Sequence, residues 1–236
     1  QAVARLARDR LRVGIGPSHR ALMESQGVKY GSPLNHLREY LIILKTILST
    51  GKVDFEGEYY KATETISQPL DVPIMASALR RKSFELCGEL ADGAIPTLCP
   101  ASYLKSTAVP ALIAGAMKVG RTAPPIIAHY CVCIHENIEE IRAAVRSQIQ
   151  SPKLRYNQLM LVESGFPEAI SGEWSNRMID NCVVFGTEEE AKRRVEEIFS
   201  SGVRELILSP VAAGADKKGS IERTTEFVAS ISRIQV

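Results

Sequence analysis

The chain has 236 residues, 45% of them apolar and 24% charged, which is the balance of an ordinary globular protein and excludes disorder for the bulk of it. Its 29 basic and 27 acidic residues leave a formal net charge of +2, so the overall charge calls for neither nucleic acid nor an anionic membrane as partner. No apolar run reaches the roughly 18 residues of a membrane span, and Arg5, Arg8, Asp9 and Arg10 interrupt any signal-peptide layout. In chain order, residues 1–9 show a helical apolar face and LRVGIG (11–16) reads as a strand closed by glycines. An amphipathic helix is expected over 34–50, with Gly51 as its C-terminal cap, and VDFEGEYY (53–60) reads as a hairpin around Glu56 and Gly57. Strand and helix then alternate: strand 72–78, helix 81–91, strand 93–98, helix 101–118, strand 125–134, helix 137–149. Residues 152–180 are less regular and hold one or two extra helices. Thr187-Glu-Glu-Glu190 is a capping box opening a helix that ends near Ser201 and Gly202. Strand 205–211 and helix 219–232 close the series.

The core strands are continuously apolar, the pattern of strands covered on both faces by helices, so the class is α/β with a parallel sheet. Five strong strands are counted (11–15, 72–78, 93–97, 126–134 and 205–210), enough for an open doubly wound sheet and three short of a closed eight-strand barrel. The chain opens on Gln1 and already reads as the tail of a helix, so 236 residues are expected to be a piece of a longer protein. Cys87, Cys99, Cys131, Cys133 and Cys182 lie in or beside apolar runs without a C-x-x-C pair, which reads as buried reduced thiols in a cytoplasmic protein, with no metal site.

Ligands of α/β folds bind beyond the carboxyl ends of the strands, and most of the unusual residues sit there. Gly14-Ile15-Gly16-Pro17-Ser18-His19-Arg20 leaves its strand with two glycines, then supplies a hydroxyl, an imidazole and a cation; with His at 19 it is not a dinucleotide fingerprint. Ser77-Ala78-Leu79-Arg80-Arg81-Lys82-Ser83 places three cations at a helix start, where the dipole disfavours them and free amides attract anions; a phosphate-type anion would offset that cost, and plain solvated surface charge is the alternative. Asp92-Gly93 makes a tight turn and Thr97 ends its strand within reach of a ligand. His129 reads as a packed mid-strand histidine, while His36 and His135 show no partner in the sequence. No H-E-x-x-H, Walker A loop or G-x-S-x-G occurs.

The segments LRVGIGPSHRALMESQG, HLREYLIILKTILSTGKVDFEGEYY, VPIMASAL, ELCGELADGAI and VVFGTEEEAKRRVEEI, in this order, resemble the bacterial luciferase-like superfamily over about residues 2–230. The G-I-G-P-S-H-R form resembles its coenzyme F420-dependent oxidoreductase branch, related to methylene-tetrahydromethanopterin reductase and glucose-6-phosphate dehydrogenase. The resemblance implies a (β/α)8 TIM barrel in which strand 11–15 is the fourth, so that about five of eight βα units are present in one domain spanning 1–236 and the first three are missing. Strands 11–15 and 205–210 should then each keep an open edge.

By the same resemblance, Gly16, Pro17, Ser18 and Leu22 touch the central part of the cofactor, and Ala78, Leu79, Arg80, Lys82 and Ser83 form its phosphate loop. Relatives often carry Gly-Pro where this chain has Arg80-Arg81, which removes the close approach that glycine permits. Thr97 lines the substrate side, and Pro100 replaces a Lys of some relatives, which argues against a sugar phosphate. An acidic residue proposed as the acid in some relatives is His19 here, a group able to move a proton near neutral pH. The chemistry implied is hydride transfer between coenzyme F420 and a small organic substrate, in a protein expected to be a homodimer at full length. The alternatives are an FMN-dependent monooxygenase of the same fold and a non-catalytic or incomplete barrel relative.

Overall fold

The computed structural model describes residues 2–7, 10–27 and 30–232; the ends of the helix expected over 1–9 lie outside them, and Ala2–Ala7 is helical (α1). The chain divides into two compact units, one holding the residues up to Ile95 together with Pro110–Pro125, the other Pro96–Val109 together with the residues from Ile126 on.

The first unit is built on a three-stranded parallel sheet in the order β1 (Val13–Ile15), β4 (Ile74–Ser77), β5 (Gly93–Ile95). β4 is central and carries the core residues Ile74, Met75 and Ala76. After β1 a short helix that the sequence pattern does not signal, α2 (Arg20–Ser25), precedes α3 (Pro33–Thr50). α3 starts as its sequence dictates: the Ser32 hydroxyl accepts the Asn35 N–H, Pro33 takes the first turn, and Gly51 ends the helix in the left-handed region. Leu37 and Leu41 are its buried face. α4 (Arg81–Leu90) and α6 (Val109–Lys118) meet where a Cβ on Gly88 would strike the backbone of Leu112 and Ala116, and one on Gly115 the backbone of Glu85. Asp92 does more than make a turn: its carboxylate accepts from the Ile74 N–H (2.9 Å) and from Lys45 (2.5 Å), tying β4 to α3.

The first strand of the hairpin forms where expected, but its turn is longer and its return strand begins three residues later, at Lys61. Its strands are β2 (Lys52–Glu56) and β3 (Lys61–Thr65), with Gly57–Tyr60 as the turn. The cause lies on α3, where the Glu39 carboxylate accepts the amides of Glu58, Tyr59 and Tyr60 at 2.8–3.0 Å and so holds Tyr59 and Tyr60 out of the strand.

The second unit carries a parallel sheet in the order β7 (Val183–Gly186), β6 (Ile127–Ile134), β8 (Glu205–Pro210). β7 is a sixth parallel strand beyond the five counted from sequence. Its four residues follow directly on α9 (Asn176–Cys182), and so short an apolar run carries no period of its own. The strand expected over 93–97 stops at Ile95; Thr97 is joined to His129 by an isolated bridge. Around the sheet lie α5 (Ala101–Tyr103) with a π turn (Leu104–Ala108), α7 (Ile138–Gln148), α8 (Arg155–Glu163), α10 (Glu188–Ser200) and α11 (Lys217–Ile231). The Thr187/Glu190 capping box forms as written. Two 3-10 turns together with α8 and α9 account for the irregular 152–180 stretch.

All pairings of these two larger sheets are parallel, so the class is α/β. Among the described residues β1 pairs only with β4 and β8 only with β6, so each has an open edge, as expected; Ile207 of β8 is 44% exposed. No helix is long and apolar enough to cross a membrane among the described residues.

Candidate functional site

The loop leaving β1 and the loop leaving β4 adjoin within the first unit. A Cβ on Gly16 would lie 2.5 Å from Ser77 Oγ, so glycine is what permits the contact. Pro17 is half-buried and Ser18 is exposed. Ser18 has φ 57, a left-handed conformation uncommon for a non-glycine residue, and its carbonyl accepts a hydrogen bond from the Tyr30 hydroxyl at 3.3 Å. His19 is the N-cap of α2 through its backbone; its carbonyl accepts the Met23 N–H at 3.1 Å. Its imidazole is exposed and has no hydrogen-bond partner among the described residues, so nothing there sets its tautomer. Arg20 is engaged by Glu24 (2.8 Å) and lies 5.1 Å over the Tyr30 ring. Leu22 is 43% exposed.

In the second loop, the Ser83 hydroxyl accepts the N–H groups of Leu79 and Arg80, each at 3.1 Å, and donates to the Arg80 carbonyl at 2.7 Å. Ser83 is thereby committed to fixing the loop. Ala78 is buried and its amide donates to the Ile95 carbonyl at 3.2 Å. Arg80, Arg81 and Lys82 are exposed. The amides of Arg81 and Lys82 lie in the first turn of α4, where no helical carbonyl reaches them.

Thr97 belongs to the second unit, where the structure assembles a group that sequence reading left apart. His129 is half-buried and pairs with Ser209 (Nε2 to Oγ 2.8 Å); the two are eighty residues apart in the chain, so no local motif signals them. Burial pushes the His129 imidazole below its ordinary pKa, which keeps it neutral near pH 7. Leu98 has φ 53 and is held there by strand bonding, its N–H donating to the His129 carbonyl at 2.9 Å. The Tyr130 hydroxyl donates to the Cys99 carbonyl just beyond.

His36 and His135 also gain partners: Tyr60 Oη (3.2 Å) and Glu140 (2.8 Å). All five cysteines are free and buried, and burial pushes Cys87 and Cys182 up to about 12 and Cys131 up to about 11, far from thiolate reactivity. Among the described residues no cluster of three or more His, Cys, Asp or Glu side chains could hold a metal ion.

Parallel strands between helices, with polar loops at their carboxyl ends, define an α/β protein of the ligand-binding kind. The chain matches the family described as luciferase-like monooxygenase over residues 2–205, and it belongs to that family of oxidoreductases. It is 25% identical over 229 residues to a 5,10-methylenetetrahydromethanopterin reductase of Methanolobus tindarius, covering 87% of this chain and 69% of that protein. In fold it is similar to an F420-dependent secondary alcohol dehydrogenase solved with an F420-acetone adduct (TM-score 0.76, 16% identity, 97% of this chain and 72% of that one). It is also similar to the oxygenating constituent of 3,6-diketocamphane monooxygenase from Pseudomonas putida in complex with FMN (TM-score 0.66, 15% identity, 99% of this chain and 74% of that one).

Proposed function

We propose that this chain belongs to a coenzyme F420-dependent oxidoreductase that transfers a hydride to or from a small organic substrate. The observation that carries the reading is the match to a methylenetetrahydromethanopterin reductase along 87% of the chain. The residues of the first unit fit such a cofactor: Gly16, without a side chain, lets the loop after β1 lie against Ser77 at the end of β4, and the first-turn amides of α4 stand with Lys82 at the carboxyl end of β4. In this reading Gly16, Pro17, Ser18 and Leu22 support the ring system, and Ala78, Leu79, Arg80 and Lys82 form its phosphate loop, with Arg80 and Lys82 supplying charge and the first turn of α4 supplying free amides. Ser83 holds that loop in shape rather than touching the phosphate. Thr97 meets the substrate, and His19 steers a proton at the reacting group. When bound, the deazaflavin supplies a carbon centre that gives or takes a hydride; the protein contributes binding, orientation and electrostatics.

The proposal includes a closed (β/α)8 barrel as the parent fold, supported by the family match running through both units and by the open edges of β1 and β8. It includes a homodimer and a cytoplasmic location, the latter supported by five buried free thiols. Titration tests the cofactor. Quenching of coenzyme F420 fluorescence without FMN binding supports the proposal, FMN binding alone supports the flavin monooxygenase reading that the diketocamphane enzyme's fold suggests, and binding of neither defeats both.

A further inference from the structure

One face of the second unit's sheet carries hydrogen-bonding groups that the fold does not use. Thr97 and His129 are direct partners in a parallel bridge, and Ile207 is the partner of His129 on its other side, so the three side chains stand on the same face. Ser209 pairs in register with Cys131, two residues beyond His129, and so stands there too. The opposite face is sealed: Ala128, Tyr130 and Val132 are buried. The Thr97 face is open, with Thr97 and His129 half-buried and Ile207 44% exposed.

Of the two ring nitrogens of His129, Nε2 is tied to Ser209, which fixes the plane of the ring. Nδ1 has no partner among the described residues and is not sealed from solvent, and the Thr97 hydroxyl likewise has none. Backbone bonds pin both: His129 N–H donates to the Pro96 carbonyl (2.8 Å) and Leu98 N–H to the His129 carbonyl (2.9 Å), and Leu98 is held at φ 53 between them. A non-glycine residue kept in that conformation beside unsatisfied polar groups is a recurrent mark of a site. The neighbours on this face, Cys131 and Ile207, are uncharged, so the face suits a neutral oxygen and not a phosphate.

We propose that Thr97 and His129, the latter oriented by Ser209, form a subsite that hydrogen-bonds the oxygen of a neutral carbonyl or alcohol substrate. This deepens the oxidoreductase reading above and rests on it for the word substrate. Strands lie about 4.8 Å apart, which sets two such groups at the spacing that lets a single oxygen bridge them. His129 is neutral near pH 7 and so offers a donor or an acceptor according to tautomer, which fits either a ketone or an alcohol.

The test uses the full chain with histidine ring nitrogens and threonine methyls followed by NMR, titrated with cyclohexanone, cyclohexanol and inorganic phosphate. Saturable shifts of His129 and Thr97 with a neutral probe and none with phosphate are expected. His129→Phe and Thr97→Val should each weaken that response about tenfold, the effect of one lost hydrogen bond, and His129→Gln should lose less. Ser209→Ala should broaden the ring signal and weaken binding without abolishing it. Absence of a saturable shift in the wild-type chain, or a response to phosphate instead, overturns the subsite whether or not the variants fold. Quenching of coenzyme F420 fluorescence is measured on the same samples: quenching without ketone response sinks this subsite alone, and ketone response without quenching sinks the cofactor reading alone.

Discussion

Ser83 separates two accounts of the loop after β4. The resemblance makes it a phosphate ligand; the structure makes it the clamp of Leu79 and Arg80. Replacement by Ala removes the acceptor of two amides, while the Arg80 carbonyl keeps the backbone N–H groups of Ser83 and Phe84. Arg80 is exposed, so water replaces its bond at little cost, whereas Leu79 is half-buried and its amide is satisfied less well. A hydrogen bond of this kind contributes about 1–1.5 kcal/mol, and the higher helix propensity of Ala returns about 0.5 kcal/mol. The net loss is therefore about 0.5–1 kcal/mol, or roughly 1–4 °C in melting temperature for a chain of this size. Scanning calorimetry of the free protein reads this shift, and Ser83→Thr, which keeps the hydroxyl, should recover most of it. Coenzyme F420 affinity should fall only about threefold to tenfold, because the loop still forms part of the time. An unchanged melting temperature combined with a loss of about 100-fold in affinity would mean that the hydroxyl touches the ligand, and the clamp argument would be wrong.

Gly115→Ala should destabilise by about 1–3 kcal/mol despite its better helix propensity, because the new Cβ meets the Glu85 backbone, which cannot rotate away; urea unfolding at an unchanged m-value checks this, and a neutral result would refute the close crossing of α4 and α6. Tyr130→Phe should cost about 1–2 kcal/mol, since the buried hydroxyl bonds the Cys99 carbonyl and no water replaces it; thermal scans that coincide with wild type would contradict this. The lowered pKa of His129 means that the folded state binds its proton more weakly than the unfolded state does. Its contribution is complete above the ordinary histidine value of 6.5 and is lost as pH falls from there through the folded value. His129→Gln should flatten that limb of the stability profile, and an unaltered slope below 6.5 would assign it to another group.

Local devices were readable in the sequence. The Ser32 and Thr187 caps, the left-handed Gly51 and the apolar strands β4 and β6 all follow from residues within a few positions of one another. What was not readable depends on distant partners. The hairpin turn is displaced by Glu39 on another element. β7 is a strand only because β6 offers an edge, with Val183 opposite Cys131. Asp92 looks like a turn residue until Lys45 and the Ile74 amide are brought to it. The two histidines show the same division. His19 stands out in the sequence because its glycines and Arg20 are adjacent in the chain, yet its ring is unoriented. His129 reads as a packed residue in the sequence because Ser209, the group that orients it, is eighty residues away.

The two units share a further device that no single residue reveals. Each holds a non-glycine residue at positive φ just past the carboxyl end of a strand: Ser18 after β1 at 57°, and Leu98 after β5 at 53°. Each such residue costs of order 1–3 kcal/mol and persists only where surrounding bonds over-determine it. At Ser18 the determinant is the hydroxyl of the buried Tyr30 on the residue's own carbonyl. At Leu98 it is the pair of bonds to His129 on either side, with the Tyr130 hydroxyl on the next carbonyl. A tyrosine hydroxyl is well suited to this work, because its rigid ring is anchored in the core while its tip reaches a carbonyl that no strand partner can satisfy. Neither strained turn is needed to close its sheet, since the paired registers end at Ile15 and Ile95. The strain therefore sits in the turns beyond the strand ends, beside His19 in one case and Thr97 in the other, at the end of the sheet where an α/β fold meets its ligands.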